Sequence, residues 1–265
     1  MSVTATVRVP GRSIVLGEGR PEIIVPLTGA DITRVLEQVE LALEAPARIL
    51  EWRIDLYRQE LDAVQHRAEV LAALPAVRGA MGEKHALLVT LRTSAEGGAR
   101  EVSDQGLAEM LEAVIASGHT DLVDVETSRG AEVVAHVVAA AREQGVLVVG
   151  SFHDFDATPG EDELVELLRS QRRAGADVPK IAVTPRHAND VLRLLAASLR
   201  VAADGDGPHI AISMGTLGAV SRVAAEVFGS AATFATVGDA AQGGASAPGQ
   251  LAARDVERML ELLRP

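Results

Sequence analysis

The sequence contains no cysteine and very little lysine. It has 265 residues with 25 lysines and arginines together, and of these only Lys84 and Lys180 are lysines. The absence of cysteine excludes disulfide bonds, zinc sites with thiolate ligands and cysteine nucleophiles. It indicates nothing about the cellular compartment. Because lysine is so rare here, the surroundings of each lysine are informative.

Excess positive charge and long apolar runs are also missing. The formal net charge is −12, which argues against a general affinity for nucleic acid or anionic membranes, although it leaves room for a local basic pocket. No apolar run reaches membrane-spanning length, and the first ten residues lack the apolar core of a signal peptide. We therefore expect a cytoplasmic protein that binds neither nucleic acid nor a membrane.

Apolar residues make up 48% of the chain, which is enough for a large core, and they recur as short runs followed by helical patterns. No Gly-x-Gly-x-x-Gly turn follows the first run, as a doubly wound sheet would require. The sequence predicts an α/β fold, a (β/α)8 TIM barrel that forms one domain over residues 1–265. The predicted strands are 22–27, 49–56, 86–92, 121–126, 146–152, 178–183, 209–214 and 232–237.

A helix is predicted after each of these strands. A small β-hairpin at residues 3–16, turning at Pro10 and Gly11, precedes the repeat, and we expect it to cover one end of the barrel. The predicted helices are 31–44, 59–74, 103–117, 131–144, 161–174, 188–202, 217–228 and 253–263.

Lys180 lies in an apolar run between two prolines, within Asp-Val-Pro-Lys-Ile-Ala-Val-Thr-Pro at 177–185. Burying an ammonium group is costly, so a buried strand would favour the neutral amine. A neutral lysine in a dry pocket suits Schiff-base chemistry with a carbonyl compound. The alternative is a lysine that snorkels from a strand end, in a chain that simply prefers arginine. Lys84, by contrast, lies in a polar turn.

Polar residues recur near the carboxyl ends of the predicted strands, where barrel enzymes have their active sites. Alternative interpretations are an ion pair between Glu51 and Arg53, a turn cap at His153 and a helix-end contact at Arg222. Residues 238–250 suit either a flexible loop or a lid over a substrate. The candidate residues are Glu51, Arg53, Arg92, Glu96, His153, Asp154, Lys180, Arg222, Ser246 and Gln250, with Asp124 and Glu126 expected to support neighbouring cations.

Six segments resemble, in order and spacing, the type I 3-dehydroquinate dehydratase family, the Schiff-base dehydroquinases of the shikimate pathway. The resemblance runs from about residue 22 to the end of the chain. The segments are Glu-Trp-Arg-Ile-Asp (51–55), Leu-Arg-Thr-Ser-Ala-Glu-Gly-Gly (91–98), Ser-Phe-His-Asp-Phe-Asp-Ala-Thr-Pro (151–159), Pro-Lys-Ile-Ala-Val-Thr-Pro (179–185), Ser-Arg-Val-Ala-Ala-Glu-Val-Phe-Gly-Ser (221–230) and Ser-Ala-Pro-Gly-Gln (246–250).

The resemblance implies a role for each matching residue. Lys180 would form an imine with the C3 ketone of 3-dehydroquinate, and His153 would remove a C2 proton and donate to the departing C1 hydroxyl. Glu96 would orient His153 or the substrate. The resemblance also implies a homodimer that needs no metal or organic cofactor. Substrate binding is implied for Arg222 at the carboxylate, for Glu51, Arg53 and Arg92 at the ring hydroxyls, and for Ser246 and Gln250 in the last loop.

Some features depart from the family pattern, and two other functions stay open. Pro26 lies in the first strand, the loop through 238–244 is longer, and the stretch 214–216 is less polar than in the family. A class I aldolase or transaldolase would also use a strand lysine, but those enzymes mostly bind phosphate through late Gly-rich loops. A non-catalytic barrel would be expected to have lost Lys180 or His153, and both are present.

Overall fold

The computed structural model of the protein describes residues 7–237 and 246–264. Its strands alternate with helices from residue 22 onwards, in the predicted order. The strands are β1 (Val7–Arg8), β2 (Val15–Leu16), β3 (Glu22–Leu27), β4 (Ile49–Arg53), β5 (Ala86–Thr90), β6 (Leu122–Glu126), β7 (Leu147–Asp154), β8 (Val178–Val183), β9 (Ile210–Ser213), β10 (Ala232–Thr236) and β11 (Leu251–Ala252).

The strands β3 to β10 form a parallel barrel. Each strand from β3 to β8 pairs with the next one, so that the series ends at β9, and β10 pairs with β3. Between β9 and β10 the wall is closed near the strand starts, where Ala231 N donates to His209 O at 2.7 Å and Ala211 N donates to Ser230 Oγ at 3.1 Å. The predicted (β/α)8 TIM barrel is confirmed. The two-residue strand β11, which pairs with β10, was not predicted.

The N-terminal hairpin covers the amino-terminal end of this barrel. Strands β1 and β2 pair antiparallel, and Val9, Ile14 and Leu16 are buried in one cluster with residues at the starts of the barrel strands, such as Ile49 and Val178. This closure was predicted. Residues 3–6 of the predicted hairpin lie outside the described residues.

Helices follow the strands and bury their apolar faces against them. Asp31, Asp62 and Ser103 accept hydrogen bonds from backbone N–H groups in the first turns of the three helices that they precede. No helix within the described ranges is long and apolar enough to cross a membrane. The helices are α1 (Ile32–Leu43), α2 (Ala63–Met81), α3 (Asp104–Ala116), α4 (Ala131–Gln144), α5 (Glu161–Arg173), α6 (Ala188–Ala203), α7 (Val220–Val223), α8 (Ala225–Phe228) and α9 (Ala253–Leu262).

Two predicted helices differ from those observed. The single helix predicted over 217–228 is wrong, because the segment forms two separate turns, α7 and α8. Ser221 Oγ accepts from Ser213 N at 3.0 Å and donates to Gly218 O at 2.8 Å, which ties this segment to the end of β9. The helix predicted over 59–74 begins later than expected, at Ala63, and continues through Pro75 to Met81.

Candidate active site

A cavity opens at the carboxyl ends of the barrel strands, with about 490 Å³ of empty space including its mouth. Strand β4 contributes two of the predicted residues, β7 and β8 one each, and the loops and turns after the strands contribute the rest. All nine residues for which the family resemblance implies catalysis or binding line this cavity: Glu51, Arg53, Arg92, Glu96, His153, Lys180, Arg222, Ser246 and Gln250.

Lys180 extends from β8 into the barrel interior and is 4% exposed. Its Nζ lies 3.4 Å from Asp124 Oδ2 and 4.0 Å from Glu51 Oε1. The amine also lies 4.5 Å from the centroid of the Phe234 ring. The side chain therefore does not snorkel to the surface. Two carboxylates and an aromatic face hold the amine at the wall of the cavity, close to where a ligand carbonyl would bind.

Arg92 connects the carboxylates of neighbouring strands. Its guanidinium donates to Asp124 Oδ1 at 2.8 Å, to Glu126 Oε1 at 3.1 Å and to Glu96 Oε2 at 3.4 Å. Burial alone would raise the pKa of Asp124, but Arg92 and Lys180 outweigh it, so the pKa lies below the ordinary value. Asp124 is thus a stable anion beside the lysine, and Asp124 and Glu126 contact cations as expected.

His153 and Glu96 form a hydrogen-bonded pair. Nδ1 of His153 lies 2.8 Å from Glu96 Oε2, and the backbone N–H of His153 donates to the same oxygen at 3.1 Å. Ser128 Oγ donates to the other carboxylate oxygen. Since Nδ1 is occupied, Nε2 is the nitrogen available to a ligand.

The two members of this pair have pKa values shifted by burial. Burial raises the pKa of Glu96 to about 7. Burial also lowers the pKa of His153 well below its ordinary value, and the positive charges of Arg92 and Lys180 add to this effect. The imidazole is therefore neutral at physiological pH. A neutral imidazole with a free Nε2 is able to act as a base.

Arg222 is buried, and the part of the chain that the structure describes gives it no acidic partner. It is 1% exposed and donates to the carbonyl oxygens of Phe234 at 3.3 Å and Pro248 at 3.1 Å. Among residues 7–237 and 246–264 no carboxylate lies within ion-pair distance of it, and its Nε has no hydrogen-bond partner. Burial lowers its pKa to about 10, which keeps it cationic at neutral pH. An unneutralised cation at a cavity wall favours an anionic ligand.

Arg53 pairs with Asp55 and not with Glu51. The guanidinium donates through Nε and Nη2 to the two oxygens of Asp55, both at 2.8 Å. The alternative of a Glu51–Arg53 ion pair is therefore wrong. Glu51 instead accepts from Thr90 Oγ1 at 2.8 Å and faces Lys180. Asp55 was not predicted as a site residue, although it belongs to the segment 51–55 and follows Arg53 by two residues.

The segment 246–250 lies along one side of the cavity. Ser246 N donates to Gln250 Oε1 and Gln250 Nε2 donates to Ser246 Oγ, each at 3.1 Å. Gly215 N donates to Pro248 O at 3.1 Å, which fixes the segment to the end of β9. Residues 238–245 of the predicted lid lie outside the described residues.

Several apolar residues that line the cavity were not predicted as site residues. Phe155 is 44% exposed, and its ring packs so closely on Gly97 that an added Cβ there would lie 2.4 Å from a ring carbon. Met214 and Ile212 also line the cavity. Phe155 follows His153 by two residues in the segment 151–159, and this position could have identified it as a site residue. The described residues contain no group of three or more acidic or histidine side chains arranged to hold a metal ion.

Comparison with known proteins identifies many relatives of this chain. A family model described as type I 3-dehydroquinase matches residues 23–265. The 3-dehydroquinate dehydratase of Syntrophotalea carbinolica is 43% identical over 260 residues, which are 98% of both chains. The protein of the same name from Escherichia coli is 42% identical over 95% of this chain and 96% of the relative.

Solved structures agree with this result. The 3-dehydroquinate dehydratase from Geobacillus kaustophilus matches with a TM-score of 0.90 and 36% identity, covering 100% of this chain and 98% of that one. A type I 3-dehydroquinate dehydratase from Clostridium difficile, solved with covalently modified comenic acid, matches with a TM-score of 0.89 and 35% identity over 98% of each chain. The chain therefore belongs to the type I 3-dehydroquinase family.

Proposed function

We propose that this protein is a hydro-lyase that converts 3-dehydroquinate into 3-dehydroshikimate through an imine on Lys180. The observation that carries the proposal is the cavity itself, in which three groups face a common space. They are a buried lysine, a neutral histidine and an arginine that has no acidic partner among the described residues. The names of the family relatives support the choice of substrate.

Binding of the substrate begins with its carboxylate. Arg222 is the cavity cation whose charge the described residues leave unneutralised, and a guanidinium binds a carboxylate through two parallel hydrogen bonds. Glu51, Arg53 and Arg92 supply acceptors and donors for the ring hydroxyls. Ser246 and Gln250 close over the bound substrate from the last loop.

The reaction then proceeds through covalent attachment. Lys180 Nζ passes a proton to His153 and attacks the C3 ketone, which forms a carbinolamine. His153 returns the proton to the carbinolamine hydroxyl, which leaves as water, and the protonated imine that results draws electrons from the adjacent carbon. His153 Nε2 takes a proton from C2, and the electron pair moves into a C1–C2 double bond as the C1 hydroxyl leaves. His153 returns its proton to this hydroxyl, which departs as water. Hydrolysis of the imine consumes one water and frees Lys180, so the net change is the loss of one water from the substrate.

Glu96 and Asp124 prepare these groups for their tasks. Glu96 holds Nδ1 of His153 at 2.8 Å, which fixes the tautomer with Nε2 free and orients the ring. Asp124 stabilises a positive charge near Nζ from 3.4 Å, and this same contact would favour a protonated imine. The covalently modified ligand of the Clostridium difficile relative is in keeping with covalent chemistry in such a site.

A class I aldolase is the alternative that shares the lysine chemistry. Its phosphorylated substrates would call for a phosphate site near the late strands, where this chain has Arg222 and the segment 246–250. One carboxylate fits that arrangement better than a dianionic phosphate.

A homodimer and a cytoplasmic location also belong to the proposal, and sedimentation of the purified protein tests the first of these.

The activity test uses the ultraviolet absorbance of the product. Dehydration conjugates the new double bond with the C3 ketone, so 3-dehydroshikimate absorbs where 3-dehydroquinate does not. We expect the purified protein to produce this absorbance, and we expect Arg172→Met, a change at the other end of the barrel, to leave the rate unchanged. A folded protein that produces no absorbance from 3-dehydroquinate but cleaves aldol sugars would contradict the proposal.

A further inference from the structure

Gln171 is a buried amide in the outer helix layer, behind the strand that carries Lys180. It is 1% exposed and belongs to α5. Its Oε1 accepts from Lys180 N at 3.0 Å, and its Nε2 donates to Lys180 O at 3.0 Å. Gln171 therefore holds the peptide groups of Lys180 in the way that a neighbouring strand would.

The hydrogen-bond ladder around Lys180 is interrupted. In the register of β7 and β8, Gly150 is opposite Pro179 and Ser151 is opposite Lys180. Pro179 has no N–H group to donate, so β8 lacks one ladder donor immediately before the lysine. The two bonds from Gln171 reinforce the strand at the next residue.

A glycine in β7 makes room for this arrangement. An added Cβ at Gly150 would lie 2.6 Å from Ala176 Cβ and 3.2 Å from Thr127 Cγ2, so a larger residue would push the outer layer away. Gln171 Nε2 also lies 3.3 Å from Thr127 Oγ1, which donates to Ser151 O at 3.1 Å. The amide is thus anchored to both strands that it joins.

Hydrogen bonds also connect Ser151 of β7 to the amine of Lys180 on the inner side of the barrel. Ser151 Oγ donates to Asp124 Oδ1 at 2.6 Å, and the other oxygen of Asp124 lies 3.4 Å from Lys180 Nζ. The peptide of Lys180 is therefore held from outside the barrel, and its amine is held from inside it.

We propose that Gln171 is a positioning residue that fixes the peptide of Lys180 and thereby the path of its amine into the cavity. The inference rests on the proposed Schiff-base role of Lys180. Misplacing a reacting atom by about 1 Å costs on the order of 100-fold in rate. Loss of the two bonds should therefore slow imine formation and leave substrate affinity, which depends on Arg222, nearly unchanged.

The test compares Gln171→Met with Leu168→Ala. Methionine has a similar length and removes both hydrogen bonds, whereas Leu168→Ala disturbs the core face of the same helix without touching the Lys180 peptide. We expect Gln171→Met to lower kcat and the rate of borohydride trapping by about 10- to 100-fold, with KM within about threefold of wild type. Leu168→Ala should lower the melting temperature with little loss of kcat. Similar kcat values for the two variants would overturn the inference.

A rescue experiment uses Gln171→Glu. A protonated carboxyl offers one acceptor and one donor, which are enough for the two bonds to Lys180, and burial favours that protonated form. At pH 6 we expect Gln171→Glu to retain kcat within about threefold of wild type at the same pH, because both bonds are reproduced. If Gln171→Met does not fold, the activity of Gln171→Glu is the remaining test. A folded Gln171→Glu with strongly reduced kcat at pH 6 would overturn the inference. Absence of any trapped adduct in wild type would instead contradict the proposed function.

Discussion

Arg222 and Arg53 are both buried arginines of the cavity, but they differ in their partners. Arg53 shares a carboxylate, Asp55, through two bonds of 2.8 Å. Arg222 contacts carbonyl oxygens, which leave its positive charge unneutralised. Asp55 therefore neutralises Arg53, whereas no carboxylate of the described residues neutralises Arg222, and we propose that a ligand anion does so.

Replacing Arg222 should weaken substrate binding. A hydrogen bond to a charged group contributes about 1.5–3 kcal/mol, so we expect Arg222→Met to raise KM at least tenfold while kcat changes less. The control is Arg172→Met, because Arg172 also donates to backbone carbonyls but lies at the amino-terminal end of the barrel. Steady-state kinetics measure both variants. An unchanged KM in Arg222→Met would show that the carboxylate binds elsewhere.

Because the pKa of Glu96 is raised, we expect its contribution to the free energy of unfolding to fall as the pH rises. Burial raises the pKa from an ordinary 4.5 to about 7, so the folded protein keeps a proton that the unfolded chain loses between these values. The stabilising contribution of protonation is complete below about pH 4.5 and is lost as the pH rises through about 7. A shift of this size corresponds to on the order of 3 kcal/mol.

Glu96→Gln tests this linkage. The variant cannot titrate at this position, so its free energy of unfolding should fall less than that of wild type between pH 5 and pH 8. Urea unfolding at the two pH values measures the difference, and His153 is present in both proteins. Equal changes in the two proteins would contradict the raised pKa.

We also expect Glu96→Gln to lower kcat, because the orientation of His153 depends on the carboxylate.

At the scale of elements, the segment 246–250 depends on a glycine. Gly249 has φ +75°, and an added Cβ would lie 2.3 Å from Gly215 O. We expect Gly249→Ala to push the segment away from the end of β9 and to raise KM several-fold. Gly145→Ala is the matched control, because Gly145 also has a positive φ, +68°, with nothing within 4 Å of an added Cβ. Both variants should lose about 1 kcal/mol of stability. An equal effect of the two variants on KM would contradict a contribution of the segment 246–250 to substrate binding.

The sequence predicted elements well where local signals and packing agree. The apolar run of β8 and the helical pattern of α4 end at the residues predicted, since prolines and glycines mark their bounds. The helix predicted over 217–228 failed because the Ser221 hydroxyl bonds to the Ser213 peptide, a tertiary contact that no periodicity encodes. Gln171 was overlooked for a similar reason, because one polar residue in an amphipathic helix looks like a surface position.

At the scale of the whole molecule, the net charge does not indicate which charged side chains line the cavity. The chain carries −12 overall, yet four basic side chains line the cavity: Arg53, Arg92, Lys180 and Arg222. The barrel made the convergence of these residues predictable, since its strands all end at one rim. The pairing of each charge was not predictable, because it depends on which neighbour each side chain reaches across the barrel.

Covalent trapping with borohydride tests the central claim most directly. The chain has only two lysines, so intact mass after adding 3-dehydroquinate and sodium borohydride, followed by peptide mapping, assigns the adduct with little ambiguity. Lys84→Arg, at an exposed residue, is the matched control for Lys180→Arg. We predict one adduct on Lys180 in wild type and in Lys84→Arg, and none in folded Lys180→Arg. An adduct that persists in Lys180→Arg, or no adduct in folded wild type, would contradict the Schiff-base account.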